Sequence, residues 1–346
     1  MSVSRKRMLL EDELTRLLDA HIPSERDCRL VGLVLGWDGR RGCCLKDAGE
    51  QLGITRERAR QIYDQAIEQL RSVKVSSTLD QALAFVTRMS HRSAEDIEAE
   101  LVARRFTRHR FAMQALLKTA HVFGRAPQFT LEASGGKLFV VAGAGVVRSI
   151  LQAALRSNSR CGIQNVSALC AAIPRRYRRP GDRLLIRQVL NTRQDIRWLD
   201  PAEETFWLAS APRNPMVRCL KKVMSYASPV ALSDLYRAVG RLPAKQRATV
   251  SRRLLLRFCE QTPFCRVANG QVERVTQLTA ANLISDAERI VCQIIRKNGN
   301  KLSIQHLQSL CAEAGVPKPN LWRIVLYSPL IFRPAPRVYS TITAKS

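Results

Sequence analysis

The chain has 346 residues and a formal net charge of +27, from 56 Lys+Arg against 29 Asp+Glu. That length allows two or three ordinary domains or several small ones. So large a positive excess repels itself and is best tolerated beside a polyanion, which makes nucleic acid the first partner class. An anionic membrane surface comes second, but no lipidation signal or basic amphipathic helix supports it.

The N-terminal "MSVSRKRMLLEDELTRLL" begins like a signal peptide, yet Glu11, Asp12 and Glu13 break any apolar core. The longest apolar run, Leu138 to Val147, is too short to span a bilayer. A soluble, cytoplasmic, nucleoid-associated protein with no membrane partner is the expectation. The 10 cysteines show no C-x-x-C and no Cys/His cluster at zinc spacing. Cys170, Cys219 and Cys292 sit in apolar helical patterns and read as small core filler, so no metal or cofactor is expected. The adjacent Cys43 and Cys44 receive no role.

Ser24 is placed to cap a helix through "ERDCRLVGLVL", whose apolar side is Cys28, Leu30, Val31, Leu33 and Val34. "GWDGRRG" then breaks the chain with Gly36, Gly39 and Gly42. A second helix, Leu45 to about Leu52, buries Leu45, Ala48 and Leu52. Gly53 permits a tight turn, Ile54 plugs the corner, and Thr55 caps a third helix with a buried stripe of Ala59, Ile62, Ala66 and Leu70. Two short helices joined by a tight turn, the second basic at its start, describe a helix-turn-helix. Arg56, Glu57, Arg60 and Gln61 share one face of its first turns. Arg can bond guanine bidentately, Gln adenine, and Glu can accept from cytosine. A solvated charged face is the plain alternative, with Glu57 favouring the helix N-terminus.

"LKDAGEQLGITRERARQIYDQAIEQLR" resembles the fourth conserved region of bacterial primary sigma factors nearly position by position. "LGWDGRRG" stands in place of that family's glycine-rich linker. The resemblance implies a DNA-reading helix that contacts a promoter element, with Arg56, Glu57 and Gln61 at base edges and Arg58 and Arg60 nearer the phosphates. It also implies a grip on the RNA polymerase β flap. Only about Ser24 to Ser72 are covered, and Ala59 and Tyr63 depart from the family's common Ile and Glu. Nothing later resembles the sigma regions that melt promoter DNA or bind the polymerase clamp, so a complete sigma factor is not expected.

From Leu79 onward one pattern recurs four times, three helices and then two short strands. The strand pairs begin at Phe129, Ile196, Phe264 and Ile331, at separations of 67, 68 and 67 residues. Hairpin turn chemistry lies between the strands, at Ser134-Gly135-Gly136, Asp200-Pro201, Asn269-Gly270 and Pro334-Ala335-Pro336. The pattern resembles tandem winged helices. The expected fold class is mainly α: a region-4-like helix-turn-helix over residues 1–75, then winged-helix units at 79–143, 145–210, 213–277 and 282–346.

Basic residues concentrate before or within the third helix of three units. Unit one has Arg104, Arg105, Arg108, His109 and Arg110. Unit two has "RRYRRPGDR", with Arg175, Arg176, Arg178 and Arg179 around Tyr177. Unit three has Lys245, Arg247, Arg252 and Arg253. This repetition points to DNA contact by those arginines. Unit four has only Lys318 and Arg323 there, beside exposed-looking Trp322 and Tyr327, which suits contact with other protein subunits or a terminal cap.

Catalytic signatures are missing. Gly143-Ala144-Gly145 follows a strand and precedes a helix, but Arg148 takes the third glycine position and no G-K-[ST] follows. No Glu has a Lys two residues later, no H-E-x-x-H occurs, and no G-x-S-x-G occurs. No enzyme is expected. Two functions fit: a sequence-specific binder of double-stranded DNA acting as a bacterial transcriptional regulator, and a DNA-targeting or scaffold subunit of a mobile-element or antiviral system.

Overall fold

Helix α1 (Leu10–His21) buries Leu10, Leu14 and Leu18 on one stripe, the spacing of an amphipathic helix. Helix α2 (Glu25–Leu35) starts where the Ser24 hydroxyl accepts from the Asp27 amide at 3.4 Å. It stops at Gly36, whose left-handed φ of 76° lets the chain turn away. Helices α3 (Leu45–Gln51) and α4 (Arg56–Arg71) follow. The computed structural model describes residues 8–37, 39, 42–71, 73, 77–179, 182–243, 250–278 and 283–344.

Beyond α4, the order helix, two-residue strand, helix, helix, hairpin occurs four times. The first set is α5 (Ser77–Arg88), β1 (Arg92–Ser93), α6 (Ala94–Ala103), α7 (Met113–Val122), β2 (Thr130–Ser134) and β3 (Lys137–Val141). The second is α8 (Val146–Cys161), β4 (Gln164–Asn165), α9 (Val166–Ala172), α10 (Asp182–Asn191), β5 (Ile196–Asp200) and β6 (Thr205–Leu208), with a 3-10 turn at Arg175–Tyr177 before α10. The third is α11 (Pro215–Tyr226), β7 (Val230–Ala231), α12 (Leu232–Gly240), α13 (Arg252–Glu260), β8 (Cys265–Ala268) and β9 (Gln271–Arg274). The fourth is α14 (Asp286–Lys297), β10 (Leu302–Ser303), α15 (Ile304–Glu313), α16 (Lys318–Tyr327), β11 (Ile331–Ala335) and β12 (Val338–Thr341).

In each set the short strand pairs antiparallel with the second strand of the hairpin, giving the orders β1-β3-β2, β4-β6-β5, β7-β9-β8 and β10-β12-β11. Sequence periodicity does not show the short strands, because two residues carry no period. At α6 and α15 they coincide with helix capping. Ser93 and Ser303 cap α6 and α15 through their hydroxyls, and a cap residue has extended backbone that can also join a ladder.

The chain divides into two compact units, one of residues up to Ile150 with Ile173–Arg193, the other of Leu151–Ala172 with Gln194–Ser346. The boundary runs through the second set rather than around it: α10 belongs to the first unit, and the hairpin β5–β6 to the second.

In the first unit one apolar core runs from α1 through Val31, Leu35, Ala66 and Leu70 into Leu79, Ile97, Leu101, Phe111 and Leu116. The Trp37 indole donates to the Thr119 hydroxyl at 2.7 Å and stacks on Phe123. The helix-turn-helix is therefore packed on the first set rather than tethered to it. In the second unit the core gathers Leu220, Val223, Leu255, Phe258, Val291 and Ile295. Burial pushes the Cys219 and Cys292 thiols up to about 12, as expected for core filler. Cys170 is only half-buried.

A recurring contact joins successive sets. Each third helix of sets two and three presents the residue after its last turn to the hairpin of the preceding set. Thr192, after α10, meets Ser134 hydroxyl to hydroxyl at 2.7 Å. A Cβ on Gly135 would lie 2.6 Å from the Thr192 carbonyl oxygen, so this approach requires glycine. Gln261, after α13, donates to the Trp198 carbonyl at 2.9 Å and accepts from the Trp207 indole at 3.1 Å. The first two hairpins therefore brace their neighbours. The N-terminal end of α10 is held as well, by a 2.5 Å contact between buried His91 and Asp182.

Candidate nucleic-acid interface

The glycine corner between α3 and α4 is set by close backbone approach. Gly53 has a φ of +64°, and the Ile54 amide donates to the Gly49 carbonyl at 2.9 Å. A Cβ on Gly49 would lie 2.8 Å from the Ile54 carbonyl oxygen and 3.6 Å from Ala59. Gly49→Ala is accordingly expected to destabilise the corner by about 1–3 kcal/mol through overpacking. Amide exchange in α3 and the first turns of α4 should speed up. Unchanged exchange would mean that the corner relaxes around a methyl group.

Thr55 caps α4, its hydroxyl accepting from the Arg58 amide at 3.2 Å. A similar service at α3 comes from Cys44, whose Sγ accepts from the Asp47 amide at 3.5 Å, a role the sequence did not suggest. Ala59, Ile62, Ala66 and Leu70 are the buried residues of α4. Ala48, Ala59 and Ile62 pack with Leu30 and Val34, while Leu45, Leu52 and Ile54 are half-buried at the edge of that core.

With the apolar stripe turned inward, Thr55, Arg56, Glu57, Arg58, Arg60 and Gln61 are all exposed. Their side chains are already organised. Arg60 reaches Glu57 at 2.7 Å on one side and Asp64 at 2.6 Å on the other. Arg58 donates to the Gln61 amide oxygen at 3.4 Å. The hydrogen bond from Arg60 holds the Glu57 carboxyl below its ordinary range, and Glu57 in turn raises Arg60. Among the described residues Arg56 makes no hydrogen bond or ion pair. The Asp64 contact was missed in the sequence, although its spacing of four from Arg60 is a helical signal.

The other predicted arginines occupy separate places, all exposed. Arg104, Arg105, Arg108 and Arg110 lie in the segment between α6 and α7. Arg104 pairs with Glu100 at 3.1 Å and covers the Phe85 ring, and Arg108 pairs with Asp12 of α1 at 2.5 Å. Arg175 and Arg176 belong to the 3-10 turn, with Arg176 over the Tyr177 ring at 4.7 Å. Arg178 donates to the Ile173 carbonyl, and the Arg179 amide donates to Asp182. Arg252 and Arg253 open α13; Arg252 covers Tyr236, and Arg253 lies 3.7 Å from Asp200 in the preceding hairpin. Lys245 and Arg247 lie outside the described residues. In α16, Trp322 and Tyr327 are exposed together with Leu326.

The Gly143-Ala144-Gly145 turn does hold an anion, but one supplied by the chain. The Glu132 carboxylate accepts from the Gly145, Val146 and Val147 amides at the start of α8, the last at 2.8 Å. A side chain thus occupies the place where a phosphate would bind a helix N-terminus.

A capped second helix, a glycine corner and an exposed polar first turn define a helix-turn-helix. Its particular kind is that of sigma-70, region 4, whose family model matches residues 37–72. The chain therefore carries an N-terminal helix-turn-helix similar to sigma-70 region 4, which is a DNA-binding helix-turn-helix, and the four later sets lie outside the match. No curated protein sequence matches the chain. No helix among the described residues is long and apolar enough to cross a membrane.

Proposed function

We propose that this protein binds double-stranded DNA sequence-specifically and acts as a bacterial transcriptional regulator rather than as an enzyme. The four later sets are winged-helix modules in this reading, adding phosphate contacts to those of α4. The observation that carries the proposal is the first two turns of α4. Their arginine, glutamate and glutamine side chains are exposed, and the capped helix bearing them is fixed by a buried stripe that none of them joins.

Arg56, Glu57 and Gln61 are assigned to base edges, and Arg58 and Arg60 to phosphates. The ion pairs of Arg60 do not oppose this, because exposed pairs are worth only about 0–1 kcal/mol and exchange readily for a phosphate. The exposed arginines of sets one to three add backbone contacts. Bracing of the first two hairpins leaves the basic segments before the third helices as the surfaces offered by those sets. A contact with the RNA polymerase β flap could not use Val31, Leu35, Ala66 and Leu70, which are buried within the first unit.

A randomised-duplex selection with wild type, Arg56→Ala and Arg60→Ala tests the reading. A bidentate base contact discriminates by about 1–3 kcal/mol, so Arg56→Ala is expected to relax preference at one base pair by roughly 5- to 150-fold. Arg60→Ala should weaken all sequences alike and flatten the salt slope by about one. Three identical sequence logos would reduce the charged turn to a solvated face.

A second reading is favoured by Trp322, Leu326 and Tyr327, which are 37, 56 and 53% exposed on α16. Large apolar side chains grouped on one helix suit a protein contact. In that reading the chain is a DNA-targeting or scaffold subunit of a mobile-element or antiviral system, with the fourth module holding another subunit.

A further inference from the structure

Within the second unit, a cavity of about 590 Å³ opens between the C-terminal end of α12 and the hairpin β11–β12. Arg237, Arg241 and Arg333 line it, with Phe332, Pro334 and Ser340, and no carboxylate is among the described residues of its wall. Its size lies within the range of small-molecule sites.

The three arginines differ in how they are held. Arg241 is half-buried, and its guanidinium donates to the Ser328 carbonyl at 3.1 Å and to the Val325 carbonyl. Both partners are neutral, so its charge stays uncompensated. Burial pulls this guanidinium below its usual range, with Tyr339 opposing that shift. Arg237 has Asp234 at 3.5 Å, outside the cavity lining. Arg333 is exposed and has no hydrogen bond or ion pair among the described residues. Elsewhere Arg60, Arg104, Arg108 and Arg253 are each matched by a carboxylate. Here three arginines line one cavity, and among the described residues only Arg237 has a carboxylate partner, so their mutual repulsion is only partly relieved. A bound anion relieves it, and the planar donor fork of arginine fits phosphate oxygens.

We propose that this cavity binds the phosphate of a nucleotide unit, with Arg241 and Arg333 as the principal donors, Arg237 at the rim, and Phe332 and Pro334 as the apolar wall for the base or sugar. The phosphate chemistry is shared by a free nucleotide and by a nucleic-acid backbone, and the experiment separates the two. Neither the site nor its test depends on the α4 reading.

The full chain is titrated with a fluorescently labelled nucleoside 5′-monophosphate and, separately, with a labelled duplex, as wild type, Arg333→Ala and the control Arg289→Ala, on α14 and paired with Asp286. Arg333 holds no other side chain in place, so its variant should fold normally, which circular dichroism verifies. Loss of a charge-assisted hydrogen bond should weaken monophosphate binding about 10-fold or more in Arg333→Ala and leave it unchanged in Arg289→Ala. If duplex affinity is also unchanged in Arg333→Ala, the ligand is a free nucleotide. If Arg333→Ala instead weakens the duplex and lowers its salt slope by about one, the ligand is a backbone phosphate. Arg333→Ala altering neither titration, or wild type binding neither probe, overturns the proposal. Failure of duplex binding alone, with the monophosphate effect intact, would count only against the DNA-binding function.

Discussion

Raising the salt from about 50 to about 200 mM is expected to weaken duplex binding by about 10³- to 10⁵-fold. The expectation follows from how the charge is distributed. The whole chain carries a net +27, and exposed arginines stand on α4, before α7, before α10 and at the start of α13. If these together neutralise about 6–10 phosphates, the log–log salt slope falls between about −5 and −9. Arginines already paired in the free protein give a smaller net gain, since a carboxylate must regain its own counterion. Arg60, Arg104, Arg108 and Arg253 are of this kind. Arg58, bonded to the neutral Gln61 amide and to no carboxylate among the described residues, should contribute fully. Fluorescence anisotropy with a duplex of about 30 base pairs, sufficient for several contact sites, measures the slope. A slope near −2 would confine contact to α4. An absence of binding to any duplex at low salt would end the DNA-binding proposal.

Lys222→Met is expected to destabilise the second unit by about 3–5 kcal/mol, the largest effect of any single change considered. Lys222 on α11 and Glu288 on α14 form a 2.5 Å ion pair, with side chains 18 and 5% exposed. Glu288 also accepts from the Ser328 hydroxyl at 2.5 Å. Removing the lysine leaves a buried carboxylate with one neutral donor. Replacing both charges, as in Lys222→Met with Glu288→Met, removes the uncompensated ion and should recover most of the loss. Native-state hydrogen exchange in α11 and α14 is the measurement, because it resolves one pair of helices without assuming that the whole chain unfolds in one step. An expected acceleration of roughly 150-fold or more follows from 3 kcal/mol. Equal exchange in wild type and Lys222→Met would show that water reaches the carboxylate.

The parts of this molecule that were legible in the sequence are those decided within a few residues. Ser24 and Thr55 cap α2 and α4 because a hydroxyl reaches an amide three positions on. The stripe Ala59, Ile62, Ala66 and Leu70 follows from helical geometry, and the outward position of Arg56 to Gln61 follows from the stripe. The order of helices and hairpins after residue 79 was legible for the same reason. Its two-residue strands were not, because two residues carry no period and each pairs with a hairpin strand far along the chain.

Contacts across many residues depended on packing. The meeting of Thr192 with Ser134, and of Gln261 with Trp198 and Trp207, turns hairpins that look like free wings into braces for the next helix. No local pattern distinguishes a free hairpin from a covered one. The same holds for Glu132, which fills the amide nest of the Gly143-Ala144-Gly145 turn from 13 residues away, and for Arg241 and Arg333, which share a cavity only after α12 meets β11. The sequence by itself determined the second helix of the helix-turn-helix, its buried side and the outward placement of its charges, because helix periodicity and capping act over one or two turns. Only the tertiary structure decided which arginines are neutralised across the chain, which hairpins are free and where uncompensated charge collects, because those depend on packing between elements distant in sequence.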